Sequence, residues 1–438
     1  MSSIPQIATA LQTVLIEAAH QAAQETGFAI RRRRMDGAQF VQTVVGTWLA
    51  HPDATYETMV GIAADVGVSI SPQGLADRFT PEAAACLEQV LAATMRHLIA
   101  SDPAALPLLD RFVAVEVQDS TTIPLPDALA DHYRGCGGSR AHSAAACKAQ
   151  FRWELRSGRL EGPLLQDGRA SDRAVSFRQR SARGTLRIRD LGYWHLDDLA
   201  QDARDDRYWL NRLKPGTAIF TADGQRYELC TLLQLQTAMT VDLAVQIGVS
   251  QRIPCRLIAR QVPDDVAAAR LRQVERTARR KGRSVSPTTR ALCAWDVIVT
   301  NVPPDRLTAA EAWVLLKVRW QIELLFKLWK QHGQLDMSRG TQPYRVLCEL
   351  YAKFIGLLIQ HWLLLAGCWA DPARSLVKAA RVVRSWAERL IRALSCPQRL
   401  QQILTDLVAA IRRAGRQTRR TKEPGTWQLL GGKPVSLT

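Results

Sequence analysis

The stretch "RFVAVEVQDSTTIPLP", Arg111–Pro126, decides how the chain reads. Val113, Val115 and Val117 alternate with a period of two, as a strand does, and Asp119 continues their face at its end. Glu116 points the other way. The pattern recurs in "TLRIRDLGYW", Thr185–Trp194, where Leu186, Ile188 and Asp190 share a face. From there to Lys214 the pattern is strand, helix, strand, with Asp197 and Asp198 as helix-start residues favoured by the dipole. Between the two aspartates, "CKAQFRWELRSGRLEGPLL" alternates Lys148, Gln150, Arg152 and Glu154 against Ala149, Phe151, Trp153 and Leu155, and predicts a hairpin turning at Ser157-Gly158. Strands mixed with helices in this way predict an α/β fold.

A third acid lies far downstream, in "VRWQIELLFKLWK", Val318–Lys330, a run of helix formers without Gly or Pro. At about 100° per residue, Arg319, Glu323, Lys327 and Lys330 fall in one stripe roughly 80° wide. Trp320, Ile322, Leu324, Leu325, Phe326, Leu328 and Trp329 cover most of the remaining circumference, as in a helix packed inside a domain. The stripe is either an exposed ladder of ion pairs or a face turned toward a polyanion and a metal, with Glu323 as ligand.

The chain has 438 residues, enough for several domains, and its 47% hydrophobic and 23% charged content is that of a soluble globular protein. Its formal net charge of +17 predicts attraction to an extended anion, with nucleic acid the commonest. Nine cysteines without a CxxC pair suit reduced thiols in a cytoplasmic setting. His132, Cys136, His142 and Cys147 cluster in sequence, but their spacing fits zinc patterns poorly. No signal peptide is evident, and the apolar run from Phe354 is broken by Gln360 and His361, which favours a buried helix over a membrane span.

The first hundred or so residues carry helical periodicity. One helix should end near Gly67 and the next begin with Ser71 as N-cap and Pro72 behind it, a helix–turn–helix candidate for DNA. Arg31–Arg34 would suit phosphates or form a solvated loop. From Pro215 to Pro304 the pattern is β-rich, interrupted by a polar helix that ends in Arg276, Arg279, Arg280, Lys281 and Arg283. That cluster is a phosphate site or a solvated face. The last ninety or so residues are helical up to a basic tail, "RRAGRQTRRTKEPG".

Two strand-borne aspartates and a helix-borne glutamate suit phosphodiester chemistry, in which two Mg²⁺ ions about 3.5–4 Å apart are held by carboxylates. "VQDSTTIPLP", "RIRDLGYW" and "RWQIELLFKLWK" resemble three blocks of the DDE transposases of bacterial insertion sequences. The branch they resemble is insertion sequence family four, with its spaced Tyr, Arg, Glu and Lys. Arg319, Glu323 and Lys330 match that spacing, while Leu316 stands at the Tyr position.

The resemblance implies an RNase H-like core, a mixed sheet flanked by helices, in residues 106–214 and 306–345. A β-rich insertion, 215–305, would interrupt it, and helical regions at 1–105 and 346–438 would flank it. It implies that Asp119, Asp190 and Glu323 bind two Mg²⁺, with Mn²⁺ able to substitute. Arg319, Lys330 and Lys327 would hold DNA phosphates, and Trp320 and Trp295 would stack on a flipped base unless they are core residues. The implied partner is double-stranded DNA, both terminal inverted repeats and target, bound by a homodimer at the nucleoid of a bacterial cytoplasm. A DNA-binding regulator with a decayed core, or a two-metal nuclease, would carry many of the same features.

Overall fold

The computed structural model describes residues 4–28, 35–136, 144–172, 177–236, 238–417 and 426–431. Arg31–Arg34, His142 and most of the basic tail lie outside them. The chain forms two compact units, each visited more than once. The first comprises Met1–Pro107, Asp119–Arg178 and Trp320–Thr438, and the second Leu108–Gln118 and Gln179–Arg319. The fold is mixed α/β, a large mixed sheet with flanking helices.

The first unit begins with α1 (Ile4–Gln12), a π-helical turn (Thr13–Ala18), α2 (Ala19–Glu25), α3 (Gly37–Ala50), α4 (Tyr56–Asp65), α5 (Pro72–Ala76) and α6 (Pro81–Thr94). Asp36 and Gln39 cap α3 reciprocally. Ser71 caps α5 with Pro72 behind it, although α5 is only five residues long. Gly67 takes the positive φ that ends the turn after α4.

The same unit contains β2 (Ala145–Glu154) and β3 (Leu160–Asp167), an antiparallel hairpin beside the outer half of β1 (Val115–Leu125). At Gly158 φ is 75°, and a Cβ there would lie 2.3 Å from Leu365, so the turn admits glycine alone. The alternation expected of β2 does not leave one face wet. Gln150, Arg152 and Glu154 are buried, with Arg152 paired to Glu161 at 2.6 Å and lying over Phe177.

Helices α12 (Trp320–Gly333), α13 (Pro343–Cys368), α14 (Leu376–Ala393), α15 (Pro397–Ala414) and α16 (Thr426–Leu430) complete the unit. α13 is long and apolar enough to cross a membrane, yet 94% of its apolar window is buried among its neighbours. Even His361 is enclosed, its Nε2 at 2.7 Å from the Gly158 carbonyl. α12 packs its apolar side on β2, with the Phe151 ring 5.6 Å from Phe326 and 5.0 Å from Trp329.

In the second unit the first residues of β1 run parallel to β4 (Leu186–Arg189), which runs parallel to β5 (Tyr208–Arg212). Between β4 and β5 lies α7 (Leu196–Arg204), with Asp197 and Asp198 in its first turn. Beyond β5 the pairing turns antiparallel through β10 (Trp295–Thr300), β9 (Ile253–Gln261) and β8 (Thr240–Ile247), to β6 (Ile219–Phe220) and β7 (Arg226–Tyr227). Trp209, Ile247, Leu257 and Val299 centre the core on one face of this sheet. Leu229–Gln234, part of a β-rich stretch in sequence, is helical (α8), because its two leucines at 232 and 233 enter that core from a short turn of helix. α9 (Asp264–Arg280), α10 (Pro287–Leu292) and α11 (Ala309–Val318) complete the unit.

Candidate active site

The parallel ladder of β1 and β4 pairs Val115 with Leu186, Val117 with Ile188 and Gln118 with Arg189. Val115, Val117, Leu186 and Ile188 are fully buried, which holds both strands to one register. The next residue of each strand is an aspartate, Asp119 and Asp190. β4 ends there: Asp190 is exposed and leads into a short 3-10 turn, Leu191–Tyr193, without a side-chain cap bond. β1 does not end at Asp119 but continues through Thr121 and Thr122 to Leu125, because β2 lies alongside. Asp119 is half-buried, and its carboxylate accepts the Ser120 amide at 2.8 Å.

The cations around β4 are already committed. Asp202 on α7, 1% exposed, accepts Arg187 at 2.6 Å, Arg189 at 3.0 Å and Arg207 at 2.9 Å. Burial, with Arg187 nearby, lowers the Arg189 pKa to about 10, so it stays charged at neutral pH and its charge is directed at Asp202. The Arg189 amide donates to Asn211 Oδ1, which ties the end of β4 to β5. Near Asp119, Ser120 Oγ donates to Asp172, which also pairs with Lys148 at 3.0 Å. The sequence reading did not pick out Asp202 or Asp172. The only signal for Asp202 was an acid on a crossover helix between strands rich in arginine.

Glu323 lies in the first turn of α12 and is half-buried. The single helix read through Val318–Lys330 is two helices that meet at Arg319, whose amide turns to the Leu316 carbonyl. Lys330, seven residues after Glu323 and on the same face, donates its Nζ to the Thr122 carbonyl at 2.9 Å. α12 is thereby tied to β1 three residues beyond Asp119. Lys327 is exposed. Trp320 is 59% exposed and Leu324, one turn on, is 49% exposed, so the outer face of this helix carries apolar side chains around the acid. Trp295 is half-buried against the core of the second unit. Leu316, at the position of the signature tyrosine, is 8% exposed, a packed side chain of α11 that leaves no polar group there.

Residues 117–359 match the family model described as the transposase DDE domain. The chain belongs to the DDE transposase family. The matched segment holds Asp119, Asp190 and Glu323. The transposase is 25% identical over 440 residues to the transposase for insertion sequence element IS231F of Bacillus thuringiensis subsp. israelensis, with 93% of this chain and 91% of that one covered. It is 21% identical to the transposase for insertion sequence element IS1151 of Clostridium perfringens, over 57% of this chain and 56% of the other. A putative transposase, InsL, for insertion sequence element IS186A of Escherichia coli (strain K12) is 27% identical over 44% and 55%.

A DDE transposase is an enzyme that cleaves DNA and transfers strands, and its domain uses divalent metal ions. Among the described residues no three Asp, Glu, His or Cys side chains stand close enough together to hold a metal ion. In kind, however, the donor set fits: three carboxylates suit a hard divalent cation, which takes oxygen ligands and keeps several waters.

Proposed function

We propose that this transposase moves an insertion sequence by cut and paste, with Asp119, Asp190 and Glu323 as the carboxylates that hold two Mg²⁺ ions. Mn²⁺ would substitute. The observation that carries this reading is the register of β1 on β4, which follows Gln118 and Arg189 with an aspartate each. The strands of such a ladder lie roughly 4.8 Å apart, a separation two ligands of one metal site can bridge. Bound metal of this kind makes water a nucleophile at neutral pH and stabilises charge on the entering and leaving oxygens.

The remaining roles belong to the chain's own groups. Water attacks the phosphorus at the element's end and releases a 3′-hydroxyl. That hydroxyl then attacks the opposite strand and displaces the 3′ oxygen of the flanking DNA, which closes a DNA hairpin. Hydrolysis of the hairpin frees the 3′-hydroxyl for attack on target DNA. Arg319 and Lys330, assisted by Lys327, hold phosphates near the scissile bond. One Lys330 N–H is given to Thr122 and two remain for DNA. Trp320 offers a ring for a flipped base, and Trp295 a second. The terminal helical regions recognise the inverted repeats, and a homodimer pairs two ends in the bacterial cytoplasm, at the nucleoid.

The test is Glu323→Gln beside wild type, with a terminal-repeat duplex, a target plasmid and Mg²⁺. The variant is expected to bind ends and to make neither nicks nor joined products. Normal cleavage by this variant would overturn the assignment. Wild type that nicks without joining would make the protein a nuclease, and binding without nicks would make it a regulator.

A further inference from the structure

α9 is a helix that the fold does not bury: none of its 17 residues is buried. Arg270 ties it to the sheet, donating to the Trp295 carbonyl at 3.3 Å and to Asp296 at 2.8 Å. The acids nearby are already engaged. Glu275 pairs with Arg290 at 2.7 Å, and Asp296 also takes Arg260 at 3.2 Å. Asp264 and Asp265 sit in the first turn, at the opposite end of the helix from the basic cluster.

The exposed residues in the second half of α9 are Arg272, Gln273, Arg276, Arg279 and Arg280, with Lys281 and Arg283 directly after. Among the described residues these six cations have no acid partner. Arg272, Arg276, Arg279 and Arg280 recur at helical spacing and form one stripe, about 12 Å long at 1.5 Å per residue, and Lys281 and Arg283 follow where the helix ends. Arginines at i, i+4 repel one another, and the helix dipole offsets this only in the last turn. Among the described residues no acid balances the charge on this face.

Building on the transposase reading, we infer that α9 is a sequence-independent clamp on the phosphate backbone of duplex DNA, separate from the residues proposed for catalysis. Duplex DNA presents one negative charge per roughly 1.7 Å of axis, so the stripe spans about seven phosphates. Guanidiniums suit phosphate oxygens bidentately. Gln273 carries the one exposed amide in this half and the arginines could read guanine edges, but contacts to phosphate take the larger share of such interfaces. The link through Arg270 sets this clamp beside Trp295, the second stacking candidate.

The test is the full-length quadruple variant R272Q/R276Q/R279Q/R280Q, titrated against a terminal-repeat duplex and a scrambled duplex over a salt series. Because α9 has no buried residue, folding should be unchanged, and matching thermal unfolding checks this. Affinity for both duplexes should fall by the same factor, about 10- to 1,000-fold at low salt, and the slope of log K against log salt should drop by about two to four, at ~0.9 per phosphate. The all-lysine counterpart should restore most of the slope. An unchanged slope on both duplexes would overturn the clamp. So would a loss confined to the terminal repeat, which would mark base reading. So would loss of binding to anionic vesicles or single-stranded RNA with duplex binding intact. A wild type that binds duplex with a steep slope yet never cleaves would sink the cut-and-paste reading and leave the clamp standing.

Discussion

Gln118 and Arg189 are the last paired residues of the parallel ladder between β1 and β4, and an aspartate follows each of them. The strands are held in that register by side chains in the core, so a slip by one residue would turn Asp119 or Asp190 to the opposite face. The register of the ladder up to Gln118 and Arg189 is therefore a packing result, set before any ion or DNA is present.

Asp202 underwrites that register. Its carboxylate joins Arg187, Arg189 and Arg207, all on or beside β4 and β5. Asp202→Ala would leave these guanidiniums around a buried gap and should cost on the order of 3–5 kcal/mol, read from urea unfolding. Asp202→Asn, which keeps the acceptor oxygen, should recover part of it.

Lys330 has a structural tie as well as a proposed role on DNA. Its bond to Thr122 holds α12 on β1. Lys330→Met should slow single-turnover cleavage by about 10- to 100-fold while end affinity changes less than about tenfold, the pattern of a lost positioning contact. Equal losses in both would show that it acts as a binding charge alone.

Trp320 and Leu324 form an exposed apolar step on α12 at i, i+4, beside Glu323. Base–aromatic stacking is worth roughly 1–3 kcal/mol, so Trp320→Ala should reduce hairpin formation about 5- to 150-fold. Trp320→Phe should keep most of the activity, and Leu324→Ala should have a smaller effect. Fluorescence of 2-aminopurine near the cleavage site measures base extrusion directly.

His361 predicts a pH effect on stability. Burial lowers its pKa to about 4, against about 6.5 for a solvated imidazole. As pH falls through 6.5 the unfolded chain takes up the proton and the folded chain does not until about 4. Stability from this group is full above pH ~6.5 and falls by up to about 3 kcal/mol as pH drops to ~4. Unfolding free energies across that window should slope upward with pH, and His361→Gln, which can still donate to Gly158, should flatten the slope.

Much of the fold was legible along the chain. Alternation marked β1, β2 and β4, glycine marked the hairpin turn at 158, and Ser71-Pro72 marked the start of α5. Each is a local rule that holds wherever the residues end up. The misreadings share one cause. Leu324 has the side chain of a core residue but lies on the open side of α12, Arg152 and Glu154 look solvent-facing but are covered, and the helix through Arg319 divides. Periodicity records which side chains share a face, and it is silent on what covers that face.

For the site, the order of the three acids and the cations spaced around Glu323 were present in the sequence, and they sufficed to suggest a transposase that the family match then showed. What only tertiary structure decided was the partner of each charge. Asp202 takes the arginines of β4, and Lys330 reaches across to β1. On α9 and just after it, six cations are left without an acid partner among the described residues. Coulomb interactions act through space and weaken with distance and solvent, so residues far apart in sequence determine which charges are cancelled and which remain for DNA.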